Sequence, residues 1–394
     1  MFICLLILIF LRPFIASAAF PDLNNAYSII LLICLLACLI RDKPSEKTMR
    51  GLKLPIALSC AFLAVAALVP GCKITPFSEL SGFLAGIMIF IAASSWDEEK
   101  RNAALRLVVF SGFIISLLAV YQYFFGFGHT EKFIDQSNLS YDFARDYMRS
   151  RRVFFPFITP NAMAGYLAML IPLTLADRSR RWLILPLSLA FLLSRSVGAF
   201  FSIFAGLSLY FIAGKKINRR RLIILCGALL FACLIFAWRA GSGQKHNQPA
   251  FSTMMRLEYW SDTLELIRSH PILGVGPGNF NLAGSRYSHN SYLQLWAETG
   301  LIGLGCFLWL AGAVLVSGIK NLRKAGFSVQ TGLLLISVTA FLAHNLMDFT
   351  FFLPEVSLLW WLILGMFYSC SRPALPARAA GRKTTPAIPG KDNA

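Results

Sequence analysis

What most constrains this chain is an alternation along its length. Apolar stretches of about 17 to 25 residues, each long enough for a helix to cross roughly 30 Å of hydrocarbon, are separated by short basic clusters. Strands of a transmembrane barrel would instead read as shorter segments alternating between polar and apolar residues. Composition agrees: 57% of the residues are hydrophobic, 14% are charged and the mean hydropathy is +0.63, which excludes a large soluble domain. The expected fold is an all-α polytopic membrane protein of about twelve spans, beginning near Met1, Asn24, Leu54, Phe77, Ala104, Phe157, Trp182, Val197, Leu222, Ser291, Phe327 and Pro354. The first stretch carries Arg12 and Pro13 in its middle and almost no basic start. A first span is therefore expected there rather than a signal peptide cleaved near Ala18.

Sidedness follows from Lys and Arg, because short basic loops stay in the cytoplasm. The clusters Arg41 to Lys53, Lys100 to Arg106, Arg178 to Arg181, Lys215 to Arg221, Lys320 to Lys324 and the tail from Arg372 to Lys391 all fall on one side under this count. Both termini are expected there. The net charge of +18 is then mainly a topogenic signal, and no nucleic-acid partner is expected. Residues 1–370 read as one integral membrane domain and 371–394 as a short disordered cytoplasmic tail rich in Pro, Ala and Arg. Of nine cysteines only Cys72 falls in an outward loop, so no structural disulfide is expected.

Two outward loops, about 126–155 and 239–290, are too long to be simple turns, and function is sought there. Within the second, Met255, Tyr259, Trp260, Leu264 and Ile267 recur at helical spacing opposite Arg256, Glu258, Asp262, Glu265 and Arg268, predicting an amphipathic helix that stops at His270 before Pro271. Gly274, Gly276, Pro277 and Gly278 then predict a tight turn. The next span opens with Ser288, Asn290 or Ser291 as N-cap, which puts His289 where backbone N–H groups and the positive helix end favour an anion and a neutral imidazole. Such a His suits a general base; a capping or interfacial polar residue is the alternative. Glu298, two turns on, is either a partner for an Arg or a participant in chemistry. Gly300, Gly303 and Gly305 suggest close packing between spans.

Arginines also stand in unusual places. Trp182 to Ala213 holds about 32 apolar residues, roughly 48 Å of helix against roughly 60 Å for two crossings, yet the flanking signals demand an even number of crossings. A hairpin this short keeps its tip, Ser194, Arg195 and Ser196, near the outer interface, where Arg195 either snorkels or binds an anion. In the first loop Arg145, Arg149, Arg151 and Arg152 run against the charge rule. Anionic headgroups, phosphate-bearing substrates or plain solvation would account for them. Asn161 after Pro160 is a helix cap or a substrate ligand.

The run RLEYWSDTLELIRSHPILGVGPGNF followed by SHNSYLQLWAETGLIG, the SRS-containing hairpin before it and the later AHNLMDFTFFLPE with His344 and Asp348 resemble the O-antigen ligase and Wzy-type O-antigen polymerase superfamily, specifically over about 195–355. The resemblance implies a GT-C-type glycosyltransferase of the bacterial inner membrane. It would use an undecaprenyl-pyrophosphate-linked glycan as donor on the periplasmic face, with inversion at the anomeric carbon. It also implies that Arg195 and Arg256 bind the donor pyrophosphate and that His289 deprotonates the acceptor hydroxyl. Arg151, Arg152, Asn161, Arg286, Asn290, Glu298 and His344 are further substrate-binding candidates, with Arg268 behind them. An Arg fork can stabilise a leaving pyrophosphate without a metal, and no DxD run stands in either outward loop, so neither metal nor cofactor is expected. The acceptor would be a glycan such as lipid A core for a ligase. It would be a growing polysaccharide for a polymerase, or Ser, Thr or Tyr for a protein oligosaccharyltransferase; a transporter of lipid-linked sugars is the alternative of a different class. Membrane lipids are expected partners in every case.

Overall fold

The computed structural model describes residues 1–44, 51–66, 75–136, 148–214, 219–241, 249–282, 284–325 and 328–372. Arg145, Cys72 and the tail beyond residue 372 lie outside the described residues. Those described are helical, with no strand among them. The helices are α1 (Phe2–Leu11), α2 (Pro21–Arg41), α3 (Lys53–Ala66), α4 (Thr75–Ala93), α5 (Glu98–Tyr121), α6 (Phe127–Gln136), α7 (Pro160–Leu173), α8 (Ile184–Ser194), α9 (Val197–Ala213), α10 (Arg219–Ala240), α11 (Pro249–Ser269), α12 (Ser291–Ala325), α13 (Val329–His344) and α14 (Pro354–Ser371). A helix stands at or beside each of the twelve expected places, with α6 and α11 in addition. By length and apolar composition only four helical stretches among the described residues, Pro21–Arg41, Glu98–Gln136, Arg219–Ala240 and Ser291–Lys324, are clear candidates to cross a membrane. The chain is a polytopic membrane protein, and several of the other apolar helices, among them α1, α7 and α13, are shorter than those four.

The core lies where α7, α13 and α14 meet. Nearly every residue of α14 is buried, and its Trp360 ring stacks on Phe341 of α13 at 5.2 Å while Phe307 of α12 reaches Phe351 at 4.8 Å. Lipid is as apolar as these side chains, so close backbone approach and interhelical hydrogen bonds hold the bundle together. Ser337 of α13 donates to the Met169 carbonyl of α7 at 2.7 Å, and Ser111 of α5 bonds Tyr166 of α7 at 3.0 Å. Close approach belongs to Gly206, where a Cβ would stand 2.6 Å from the Ile336 carbonyl oxygen, and to Gly365 against Phe90 of α4.

The 300s glycines do something else. Gly300 takes φ 65° and ψ −177° and kinks α12. That backbone region is open essentially to glycine alone. The kink receives the preceding turn: Val275 donates to the Ala297 carbonyl at 2.9 Å, Gly276 to that of Glu298 at 2.9 Å and Leu301 to that of Pro271 at 3.0 Å. A Cβ on Gly300 would run into the Ile272 carbonyl, and one on Gly274 into the Glu298 backbone. Open space surrounds Gly305. The expectation of span-to-span packing is therefore corrected at Gly300 to a turn docked on a kinked helix, and at Gly305 no neighbouring span approaches.

The two ends of the bundle differ in charge. At one end Arg323 reaches the Ala213 carbonyl, Gln330 donates to Asn102, Arg101 to the Trp96 carbonyl and Arg372 to that of Ser94. Arg221 covers the Phe211 ring. Those contacts gather the described basic clusters together. The other end holds the α8–α9 tip, the starts of α7 and α12, the ends of α10 and α13, and α11 across them.

Candidate active site

A cavity of about 490 Å³ opens at the end away from the basic clusters. Its polar wall is built from five segments: Arg152 before α7, Asn161 in the first turn of α7, Ser196 at the start of α9, Arg239 at the end of α10 and Arg256 on α11, with His344 and Asp348 closing it from the α13 end. Phe201, Phe236, Leu257 and Leu346 supply an apolar side, and all four are exposed on the bundle surface. A pocket with a cationic floor and a greasy flank suits a ligand with an anionic head and a long apolar tail.

Local chemistry explains how each residue reaches the cavity. Thr159, rather than Asn161, caps α7 by accepting from the Ala162 N–H at 3.1 Å. Asn161 is thereby released: its Oδ1 accepts from Arg152 at 2.9 Å and from the Ser196 hydroxyl at 2.9 Å. Arg152 also donates through Nε to the Ser194 carbonyl at 2.9 Å, tying the first outward loop to the hairpin tip. Arg256 is fixed by the Met347 carbonyl at 3.0 Å and the Ser252 carbonyl at 3.2 Å. Trp260, one turn on, lines the cavity with its Nε1 buried and without a hydrogen-bond partner.

Arg239 is the lining residue that sequence reasoning missed. α10 buries only Ala232, Ile235 and Arg239, leaving its other faces to lipid. Arg239 donates to the Arg195 carbonyl at 3.3 Å, and the like charges of Arg152, Arg256 and Arg195 all bear on it. A usable signal existed: a basic residue at the outward end of an apolar span breaks the same charge rule that drew attention to Arg152.

Arg195 sits where expected, at the hairpin tip in the left-handed region with φ 50°. Its guanidinium lies over the Trp238 ring, 4.2 Å from the centroid, and donates to the Ser150 carbonyl at 3.4 Å. It stands beside the cavity rather than in its wall. Arg151 and Arg286 are exposed away from the cavity, Arg286 over the ring of Tyr287. Arg268 lies in the last turn of α11, outside the wall. Asn290 is the N-cap of α12, its Oδ1 accepting from the N–H groups of Tyr292 at 3.0 Å and Leu293 at 3.2 Å. Glu298 has neither an Arg ion pair nor a place in the cavity. Only 1% exposed, it accepts from the Gly278 N–H at 2.8 Å and from Gln294 at 2.9 Å, which braces the glycine turn. Each carboxylate oxygen thus holds one hydrogen bond within the turn and α12.

His289 precedes the cap, again in the left-handed region with φ 56°. It stacks against Tyr259 of α11 at 5.6 Å and meets Phe349 edge-on at 4.8 Å, with its Nδ1 buried and unpartnered. His289 stands outside the cavity wall, while Asp348, 1% exposed and part of that wall, acts electrostatically on both His289 and His344. His344 lines the cavity, is 1% exposed, and faces the backbone of Asn161 and Gly198. It is held against Gly165, where a Cβ would stand 2.7 Å from the ring.

Burial, with a smaller contribution from Arg256, holds the His289 imidazolium pKa below its ordinary range, and Asp348 works the other way. The shift favours the neutral imidazole. Titrated by NMR of ring-labelled protein, His289 is expected to show a midpoint below that of an ordinary imidazole. Arg256→Gln should move that midpoint up and Asp348→Asn should move it down. An ordinary midpoint insensitive to both substitutions would contradict the electrostatic picture.

Residues 182–308, running from the start of the hairpin into α12 and including Arg195, Arg239, Arg256 and His289, match the family described as O-antigen ligase. No curated protein matches the chain. That match, over about a third of the chain, supports the resemblance to the O-antigen ligase and Wzy-type polymerase superfamily.

Proposed function

We propose that the protein is a metal-independent, inverting glycosyltransferase of the bacterial inner membrane. It moves a glycan from an undecaprenyl-pyrophosphate carrier to an acceptor hydroxyl on the periplasmic face, and acts as an O-antigen or polysaccharide ligase. The observation that carries this reading is the convergence of Arg152, Arg239 and Arg256 from three separate segments on one cavity that also has an apolar flank of Phe201, Phe236, Leu257 and Leu346 exposed on the bundle surface. Sidedness is supported by the cavity's position opposite the basic ends of the bundle.

In this reading the pyrophosphate lies against the three guanidinium groups, with Asn161 and Ser196 orienting it and Arg195 shaping the rim. As the anomeric bond breaks, negative charge grows on the bridging oxygen. Fixed arginines stabilise that charge without reorganising. The polyprenyl chain leaves along Phe201, Phe236 and Leu257 into the bilayer. His289 takes the acceptor proton while the hydroxyl attacks from the face opposite the pyrophosphate. His289 is preferred to His344 as base because it is partly exposed whereas His344 is only 1% exposed. Asp348 sits where it would stabilise the imidazolium that forms.

Deleting the gene and resolving surface glycans on a gel tests the class of acceptor. Loss of all chains attached to lipid A core is the expected result. Single repeats left in place would make the protein a polymerase, and unmodified proteins beside normal lipopolysaccharide would make it a protein transferase. Complementation with Arg239→Gln should restore the chains about 10² to 10³ times more slowly than the parent gene, the usual cost of one preorganised anion donor.

A further inference from the structure

At the opposite end of the bundle lies a larger groove, about 790 Å³, between α1, α5 and the start of α8. Nothing in the catalytic reading uses it. Its floor is aromatic: Phe10 stacks on Phe110 at 6.2 Å and Trp182 meets Phe113 edge-on at 5.5 Å. Ile3, Ile7, Phe110 and Trp182 are all exposed in it.

The groove follows from helix length. α1 has 10 residues and α8 has 11, about 15 to 17 Å each, whereas α5 between them has 24. Two short helices beside a long one leave hydrocarbon depth that the protein does not fill. Water does not fill an apolar recess of this kind, so lipid chains must. A purely annular space would be apolar or neutral at its mouth, but this one carries Arg106 and Arg180 with the backbone of Ser179. Glu98 lies in the adjoining cavity with Arg106 and Arg180, and Asp177 beside the mouth already bonds the Ser179 hydroxyl at 2.7 Å and pairs with Arg180 at 3.3 Å. The fields of Arg180 and Arg106, behind the stronger Ser179 hydrogen bonds, help keep Asp177 ionised. Arg178 and Arg181 flank the same turn, so cations outnumber these carboxylates at the mouth.

We propose that this groove is a binding site for an anionic glycerophospholipid, with the headgroup phosphate on Arg106 and Arg180 and the acyl chains on the aromatic floor. Arginines at a membrane surface attract anionic headgroups additively, and aromatic rings with branched chains make a better seat for one ordered lipid than a smooth helix face. The bound lipid completes the packing of α1 against α5 that the protein leaves open. The site stands independently of the catalytic proposal.

The test uses the full chain purified in mild detergent and offered phosphatidylglycerol and phosphatidylcholine of identical acyl composition in equal amounts, with bound lipid counted by native mass spectrometry. One retained phosphatidylglycerol is expected, favoured about tenfold or more over phosphatidylcholine, as two arginines near a headgroup give. The double variant Arg106→Gln, Arg180→Gln should bring the two lipids to parity. Equal retention of both lipids by the wild-type protein would overturn the proposal without any variant having to fold. So would unchanged phosphatidylglycerol retention in the double variant, or displacement of phosphatidylglycerol by an equal amount of polyprenyl monophosphate.

Discussion

His289→Ala is expected to insert, fold and elute like the parent protein while transferring glycan about 10² to 10⁴ times more slowly, the range lost when a positioned general base is removed. The fold gives the reason for expecting so clean a separation. His289 lies outside the helical core, its Nδ1 bonds nothing, and the cap of the next helix belongs to Asn290. What the substitution removes is a stacked ring between Tyr259 and Phe349, a loss that α11 can absorb because Arg256 still ties it to the Met347 carbonyl. Rate measurements on protein of verified monodispersity check this. Transfer within a few-fold of the parent would move the base to His344 or to the substrate itself.

The second large effect is on stability and lies far from the catalytic groups. Arg12, at the break after α1, is buried and donates to Asn24 at 2.7 Å and to Glu355 at 3.3 Å, while its guanidinium covers the Tyr27 ring at 5.0 Å. Glu355, also buried, accepts in addition from the Ser17 N–H at 3.3 Å. This one pair joins the N-terminal hairpin to the first turn of α14. Arg12→Ala strands a buried carboxylate and should cost about 3–5 kcal/mol, whereas Arg12→Met with Glu355→Leu, which removes both charges, should recover most of it. Thermal unfolding in detergent, followed by loss of the monodisperse peak, reads both. A single variant as stable as the parent, or a double variant no better than the single, would show that the pair does not lock the hairpin.

The contrast between these two sites explains what the sequence could reveal. Helix positions were readable because hydrocarbon thickness sets their length and Lys and Arg punctuate them, and α11 was readable from its spacing and its stop before Pro271. The hairpin tip at Arg195 was readable because too few residues remained to cross twice. Partnerships were not readable, because they join residues hundreds of positions apart. Arg12 looked like an oddity in a first span until Glu355 met it. Glu298 looked like a partner for an arginine, yet it braces a turn through Gly278, since what neutralises a buried carboxylate is decided by packing. Asn161 looked like a cap, and Thr159 beside it has the same capacity; only the backbone decides which of the two caps and which reaches the cavity. Arg239 carried the right signal at a place where it was taken for a loop boundary. Gly300 belonged to a glycine series that suggests helix contact, and its left-handed φ is a property no spacing rule contains.

The central claim is that one cavity, floored by Arg152, Arg239 and Arg256 and served by His289, transfers a lipid-linked glycan with its own residues alone. The most direct measurement is transfer by the purified protein from a synthetic undecaprenyl-pyrophosphate glycan to lipid A core in EDTA, with the anomeric configuration of the product read by NMR. The account predicts transfer undiminished by the chelator, with inversion at the anomeric carbon. Transfer that requires a divalent cation, or a product with retained configuration, would contradict it.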